Sequence, residues 1–278
     1  AQEITVSSTF PIGLADELRG KRIVLIVAPI LYPQRSIKTG KEVQAIKKSI
    51  QNTEQAFVLI QQILEDSTVV GKDVVYQDTI LTCEFLKKEV EKLFLEQGMS
   101  NDEGLIISTG QQTTIPHHPG SGPIRAGQPI VCDIFPRDKE SGYFADITRT
   151  FVKGVPSKEL EEMYEAVLKV QNIGIEAIKP GVSWRSIHEL CAKEIQKFGY
   201  DAVDKGFIHG IGHGIGLDVH ESPKLGLSEG ALQLGNIVTI EPGLYYEGIG
   251  GIRIEDDVLV TENGFENLTS YPKQFIIS

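Results

Sequence analysis

From Lys41 onward the apolar residues Val43, Ile46, Ile50, Phe57, Ile60 and Leu64 recur mostly at helical spacing, which predicts a helix with one buried stripe. A second stripe, Leu86, Val90, Leu93 and Phe94, predicts another helix, closed by Gly98 as a C-terminal cap. The pattern then changes. Leu105 to Ile107 is a short apolar run, and residues 104–152 are rich in Gly, Pro and β-branched residues, which reads as strands with turns. The second half repeats the order. Ser157 is placed to cap a helix carrying Leu160, Met163, Tyr164, Val167 and Val170, with a stop at Pro180-Gly181. Ser183 opens a helix with Ile187, Leu190, Cys191, Ile195 and Phe198, ended by Gly199, and strand-like sequence fills about 206–260. Helix, helix, strands thus occurs twice, predicting a duplicated α+β architecture with no low-complexity linker between the halves. Residues 1–32 read as a short appendage, a lone strand, with the apolar run Ile23 to Leu31 as a core strand.

Composition narrows the partners. With 41% hydrophobic and 23% charged residues, the chain can bury a core and remain dissolved. Lys plus Arg total 27 against 38 for Asp plus Glu, a formal charge of −11, which repels phosphate backbones and anionic lipid. Nucleic acid and membranes are therefore excluded as partners. The longest apolar run is too short to span a bilayer. Three scattered cysteines, Cys83, Cys132 and Cys191, offer neither a disulfide framework nor a CxxC metal pattern, which fits a reducing, cytoplasmic setting.

Acid inside apolar strands carries the chemistry. Asp133 lies in Ile-Val-Cys-Asp-Ile-Phe and Asp146 in Phe-Ala-Asp-Ile-Thr-Arg-Thr-Phe, on either side of the polar turn 136–142. A hairpin in which facing residue numbers total 279 sets Asp133 opposite Asp146. In the second half, a total of 496 sets Glu241 opposite Glu255 across a turn at Gly248. A register slip preserves same-face placement if parity holds. Like charges facing one another on a sheet destabilise it, and buried carboxylates lose hydration. Four carboxylates call for protonation, basic partners or cations, and two divalent ions neutralise them. Asp256 and Asp257 are weaker cases, with Asp257 read as solvating the strand end.

Histidines cluster nearby. The segment 208–221 holds His209, His213 and His220 among glycines 210, 212, 214 and 216, which let backbone approach a neighbouring strand or ligand. His213 and His220 differ in parity, so a bend or bulge between them is expected. His117 and His118 sit on a turn, and the residues alone do not choose between them. His188 reads as a surface or core residue on its helix. Arg253 shares parity with Glu255, either as an ion pair or as a clamp for a substrate carboxylate. Oxygen ligands with one imidazole suit Mn²⁺, Co²⁺, Fe²⁺ or Zn²⁺. Paired ions supply hydroxide at neutral pH, and with no phosphate-cradling motif a carbonyl substrate fits better than a phosphoryl one.

In its order, Asp133, Asp146, His213, Glu241, Glu255 resembles the ligand set of the pita-bread metallopeptidases, the family of methionine aminopeptidase, Xaa-Pro aminopeptidase, prolidase and the creatinases. Residues 146–150 (Asp-Ile-Thr-Arg-Thr), 212–221, 241–245 (Glu-Pro-Gly-Leu-Tyr) and 253–257 (Arg-Ile-Glu-Asp-Asp) carry the likeness, which spans roughly residues 33 to 270. The resemblance implies a pseudo-twofold fold with a curved antiparallel sheet flanked by helices. It implies that Asp146 and Glu255 bridge two divalent ions, Mn²⁺ foremost, that Asp133 chelates one, and that His213 and Glu241 hold the other. By the same likeness, Glu241 shuttles protons, His220 stabilises the tetrahedral intermediate, and His117 contacts the scissile region. Pro-His-His-Pro and Glu-Pro-Gly-Leu-Tyr look like the Xaa-Pro branch, where His209 and Arg253 fit contacts to a proline-containing peptide substrate. The expectation is an N-terminal segment 1–32, a candidate remnant of an N-terminal domain, and a catalytic domain 33–278. A homodimer is a candidate assembly. The alternatives are a methionine aminopeptidase, a non-catalytic pita-bread module that binds peptide or protein, and a creatinase-type hydrolase acting without metal.

Overall fold

In the computed structural model, which describes residues 2–28 and 30–278, the chain divides into two units, Ala1–Arg35 and Ser36–Ser278. In the first unit, β1 (Glu3–Ser7), α1 (Ile12–Gly20) and β2 (Val24–Ala28) follow one another, and β1 pairs with β2 in parallel. This corrects the expected lone strand, because a parallel pair needs a crossover. The apolar run is a strand but not a core strand, since Val24, Ile26 and Val27 are exposed. Only Ala15 of α1 is buried, so that helix has no stripe to read in the sequence.

The second unit opens with α2 (Gly40–Glu65). Its N-cap Thr39 accepts from Glu42 N, and the Glu42 carboxylate accepts from Thr39 N, a reciprocal cap. A small antiparallel sheet of β3 (Thr68–Val70), β4 (Asp73–Tyr76) and β5 (Thr79–Ile80) leads to α3 (Cys83–Glu96). Then come β6 (Met99–Ser100), β7 (Ile106–Thr109), β8 (Ile130–Ile134), β9 (Arg137–Asp138) and β10 (Ile147–Lys153). The second half runs α4 (Lys158–Glu176), α5 (Trp184–Lys197), β11 (Gly212–Gly214), β12 (Glu221–Leu225) and β13 (Ile237–Ile240). It closes with β14 (Gly243–Tyr246), β15 (Gly250–Arg253), β16 (Asp256–Thr261), β17 (Gly264–Asn267) and β18 (Ile276–Ile277).

Duplication is visible in the sheets. One has the order β18-β10-β8-β7 and the other β12-β11-β13-β16-β17. Each contains an antiparallel trio, β7-β8-β10 and β11-β13-β16, behind its own helix pair. Ile46, Phe57, Leu64, Leu86 and Phe94 of α2 and α3 pack with Ile107, Cys132 and Phe151 in one core. Leu160, Val167, Ile187 and Cys191 of α4 and α5 pack with Val238, Ile240 and Val258 in the other. Burying each such side chain contributes roughly 1.5–3 kcal/mol. The sheets meet at an isolated bridge between Thr148 and Glu255, where Glu255 N donates to Thr148 O at 3.0 Å. Among the described residues no helix is long and apolar enough to cross a membrane.

Candidate active site

Strand period puts the acids where they are. In β8 and β10 the pairing is Asp133 with Thr148 and Ile134 with Ile147, two residues off the expected register. Parity survives the slip, so Asp133 and Asp146 still share a face. The shift arises because the turn is not free in solvent: Arg137 bridges Phe144, and β9 pairs with β6. In the second half the register holds as expected. Gly243 faces Arg253, and Ile240 faces Asp256, which leaves Glu241 and Glu255 opposite one another between two ladders.

His213 sits on β11, which squeezes between β12 and β13. A methyl group on Gly212 would collide with Thr239 O, and one on Gly214 with Ser222 O. Register shifts between His213 and Gly214, and the return places the His220 ring 4.1 Å from that of His213. The expected bend is present.

The His213 ring fixes its own tautomer. Nδ1 donates to Gly214 O at 3.1 Å, which leaves the Nε2 lone pair facing Asp146 Oδ2 at 3.5 Å, Glu241 Oε1 at 3.6 Å and Glu255 Oε1 at 4.0 Å. Burial, then His220, lowers its pKa to about 4, so the ring is neutral at pH 7. A lone pair surrounded by carboxylates is repulsive without a cation between them. Asp146, His213 and Glu255 offer ligand atoms all within 4.8 Å of one another. Asp133 Oδ1, Asp146 Oδ1 and Glu255 Oε1 are buried with no hydrogen-bond partner. These orphaned oxygens fit divalent metal ions.

Burial, then repulsion from Glu255, pushes the Asp146 and Glu241 carboxyls well above the ordinary range. Burial, then Asp133, raises Glu255 to about 8. Thr148 Oγ1 donates to Glu255 Oε2 at 2.7 Å and orients it. Asp133 Oδ2 accepts from Arg253 NH2 at 2.7 Å.

Around this cluster lies a cavity of about 840 Å³, bordered by the five acid and imidazole groups and by His117, His209, His220 and Arg253. The choice between the paired histidines is now made. His118 Nδ1 accepts from Gly120 N at 3.0 Å and braces the turn, whereas His117 borders the cavity. His209 donates from Nδ1 to Gly210 O at 2.8 Å, so its Nε2 accepts from Tyr245 OH at 2.9 Å. Tyr245 OH in turn accepts from Arg253 NH1 at 3.0 Å. Tyr245 was missed in the sequence, although it shares parity with Glu241 and so lies on its face. His188 packs against Phe207, which packs against His209, a structural position.

The reading of Asp257 as solvating the strand end is corrected: it and Asp256 are completely buried. Asp257 shares the face of Glu255, and its Oδ2 accepts from Asp146 N at 3.1 Å. Asp256 points to the opposite face. There Arg149 NH2 donates to Oδ1 at 2.8 Å, while Gln171, Asn267 and Lys273 donate to Oδ2 at 3.0, 2.9 and 2.8 Å.

The sequence profile of metallopeptidase family M24 matches residues 44–262. The Xaa-Pro dipeptidase of Pyrococcus horikoshii is 32% identical over 282 residues, covering 99% of this chain and 75% of that protein. That of Pyrococcus furiosus is 34% identical over 252 residues, covering 89% of this chain and 67% of that protein. Among solved structures, the prolidase from P. horikoshii matches with a TM-score of 0.86 at 30% identity, over 98% of this chain and 75% of that one. The X-Pro aminopeptidase from Thermotoga maritima matches with a TM-score of 0.80 at 28% identity, over 100% of this chain and 76% of that one. The likenesses bear out the α+β pita-bread fold and the Xaa-Pro branch of the resemblance.

Proposed function

The chain belongs to metallopeptidase family M24, and on that premise we propose that it hydrolyses the Xaa-Pro bond at the N-terminus of peptides, using two divalent cations. In this reading Asp133, Asp146, His213, Glu241 and Glu255 would hold the cations. The observation that carries it is the Asp146, His213 and Glu255 cluster, with unpartnered oxygens on Asp146 and Glu255 and a further one on Asp133 in the same cavity lining. Oxygen donors with one imidazole favour Mn²⁺, with Co²⁺, Zn²⁺ and Fe²⁺ as alternatives. Cations bound there lower the pKa of water and polarise a carbonyl.

The side chains supply the rest. Glu241, at the cavity edge, takes a proton from the attacking water and returns it to the proline nitrogen, a poor leaving group until protonated. His220, whose pKa is lowered by burial, is neutral at pH 7 and donates a hydrogen bond to the developing oxyanion. His117 contacts the scissile region from its braced turn. His209 and Arg253, joined through Tyr245, form the wall that receives the substrate beyond the bond. The names of the relatives, Xaa-Pro dipeptidases, support the proline preference.

The test strips the purified protein of metal, reloads it with each ion, and assays Xaa-Pro dipeptides, longer Xaa-Pro peptides and Met-Ala peptides. Hydrolysis of Xaa-Pro substrates that chelator abolishes and Asp146→Asn lacks is the expected outcome. Cleavage of Met-Ala peptides alone would replace the proposal with a methionine aminopeptidase. A protein that takes up no metal and hydrolyses nothing would leave a peptide-binding module.

A further inference from the structure

Lys38 precedes the N-cap of α2, far in sequence from the cavity, yet its Nζ donates to Glu221 Oε1 at 2.6 Å in an almost fully buried pair, with side chains 1% and 8% exposed. Stability does not explain this placement well. A buried ion pair is often no more stabilising than apolar residues of the same volume, and a cation is disfavoured beside a helix N-terminus. What the pair does do is fix a backbone. Lys38 is itself held, its N donating to Gly235 O at 2.8 Å while Asn236 Nδ2 donates to Ser36 O at 2.8 Å. Glu221 directly follows His220 and begins β12. The turn before it folds over the Glu221 carboxylate so closely that a methyl group on Gly216 would strike that carboxylate. Phe144 N donates to Gly216 O at 2.8 Å, tying the same turn to the segment entering Asp146.

His220 depends on this arrangement. It is exposed to the cavity, and among the described residues no hydrogen bond holds its ring. Its aim toward His213 is therefore inherited from the backbone of the turn. The geometry points to Lys38 and Glu221 as a pair of positioning residues that clamp the 215–221 turn and so hold His220 over the reacting carbonyl. Neither touches substrate. The field of Lys38 also offsets part of the negative charge of Asp257, behind Asp146, so one ammonium serves both sides of the turn.

This inference rests on the hydrolytic reading for its kinetic arm but not for its spectroscopic one. The variants are Lys38→Met, Lys38→Arg, Glu221→Gln and the double Lys38→Met/Glu221→Gln. Lys47→Met, which breaks the exposed pair between Lys47 on α2 and Glu266 on β17, is the control. In Lys38→Met and Glu221→Gln, kcat on an Xaa-Pro dipeptide should fall roughly ten- to a hundredfold, as misplacement by about an ångström does. KM should stay within about twofold and bound metal should be unchanged, with the double variant no worse than either single one. Lys38→Arg should recover much of the loss. Histidine-ring nitrogen–proton spectra of the zinc-loaded protein, with His220 assigned through His220→Asn, should show its signals moved in both charge-breaking variants and unmoved in Lys47→Met. Unmoved His220 signals, a kcat loss that tracks loss of metal, or additive effects in the double variant would each overturn the proposal. If Lys38→Met does not fold, the isosteric Glu221→Gln decides. Should the wild type hydrolyse no Xaa-Pro substrate, the function reading fails while the ring spectra still test the clamp.

Discussion

Glu255 and Asp256 are chain neighbours pointing to opposite faces, and the molecule treats them in opposite ways. Asp256 is saturated: Arg149, 1% exposed, donates all five of its N–H groups, to Asp256, Tyr271 O, Pro272 O, Thr148 O and Glu255 O. Burial pushes the Asp256 carboxyl up, but Arg149 and Lys273 outweigh it and hold its pKa below the ordinary value. Glu255 has one oxygen held by Thr148 and the other unpartnered, with carboxylates for company. The first acid is neutralised by the protein's own cations. The second is left short of positive charge, which is how a structural acid differs from one built to receive an ion.

Breaking the saturated side should have the largest effect. Arg149→Met leaves Asp256 without its main partner and frees two chain segments, 255–256 and 271–272, and urea unfolding of the metal-free protein should show a loss of about 3–5 kcal/mol. Glu255→Gln, one residue away, should leave that stability intact or raise it while abolishing metal-dependent stabilisation. If both cost the metal-free fold equally, the contrast is wrong.

The pH dependence sharpens the same contrast, with signs that differ across the two faces. The folded pKa of Glu255, about 8, lies above its unfolded value, so its contribution is fully present below the unfolded pKa and is lost as pH rises through about 8. Asp256 is held below its ordinary value, so its contribution is present above the unfolded pKa and is lost only as pH falls through the folded one. The urea midpoint of the metal-free protein should therefore decline between about pH 7 and pH 8, above the range in which the buried His209 and His213, lowered to about 4, add stability as pH rises. Saturating metal should flatten that slope. A midpoint that rises over that interval in the metal-free protein would contradict the assignment.

Smallest of the three is the hinge between the faces. Thr148→Val removes the hydroxyl that donates to Glu255 and accepts from Arg253 Nε at 3.2 Å. Metal affinity, measured by chelator competition, should drop about ten- to a hundredfold, in line with other ligand-orienting groups. Unfolding of the metal-free protein should change by only about 1 kcal/mol.

Period-two arithmetic on the strands made much of the site legible. It put Asp133 with Asp146 and Glu241 with Glu255, and it survived a two-residue slip in the first hairpin because side-chain direction depends on parity alone. Helical stripes fixed α2 to α5 because each buries one apolar face. What stayed hidden depends on groups distant in sequence. Asp256 read as a weaker case and Asp257 as solvated because the groups that face them, Arg149 and Lys273 for Asp256 and Lys38 for Asp257, arrive only through tertiary folding. The lone strand expected over residues 1–32 missed α1 and the pairing of β1 with β2, because α1 buries one residue and periodicity says nothing where there is no face to bury.

The seam at Thr148 and Glu255 joins two halves that each fold around their own core. The first half brings a pair of aspartates, the second an imidazole and a pair of glutamates, so neither can assemble the proposed donor set unaided. On that proposal, tight ion loading would be a checkpoint on assembly, retained only by chains whose duplicated lobes have closed in register.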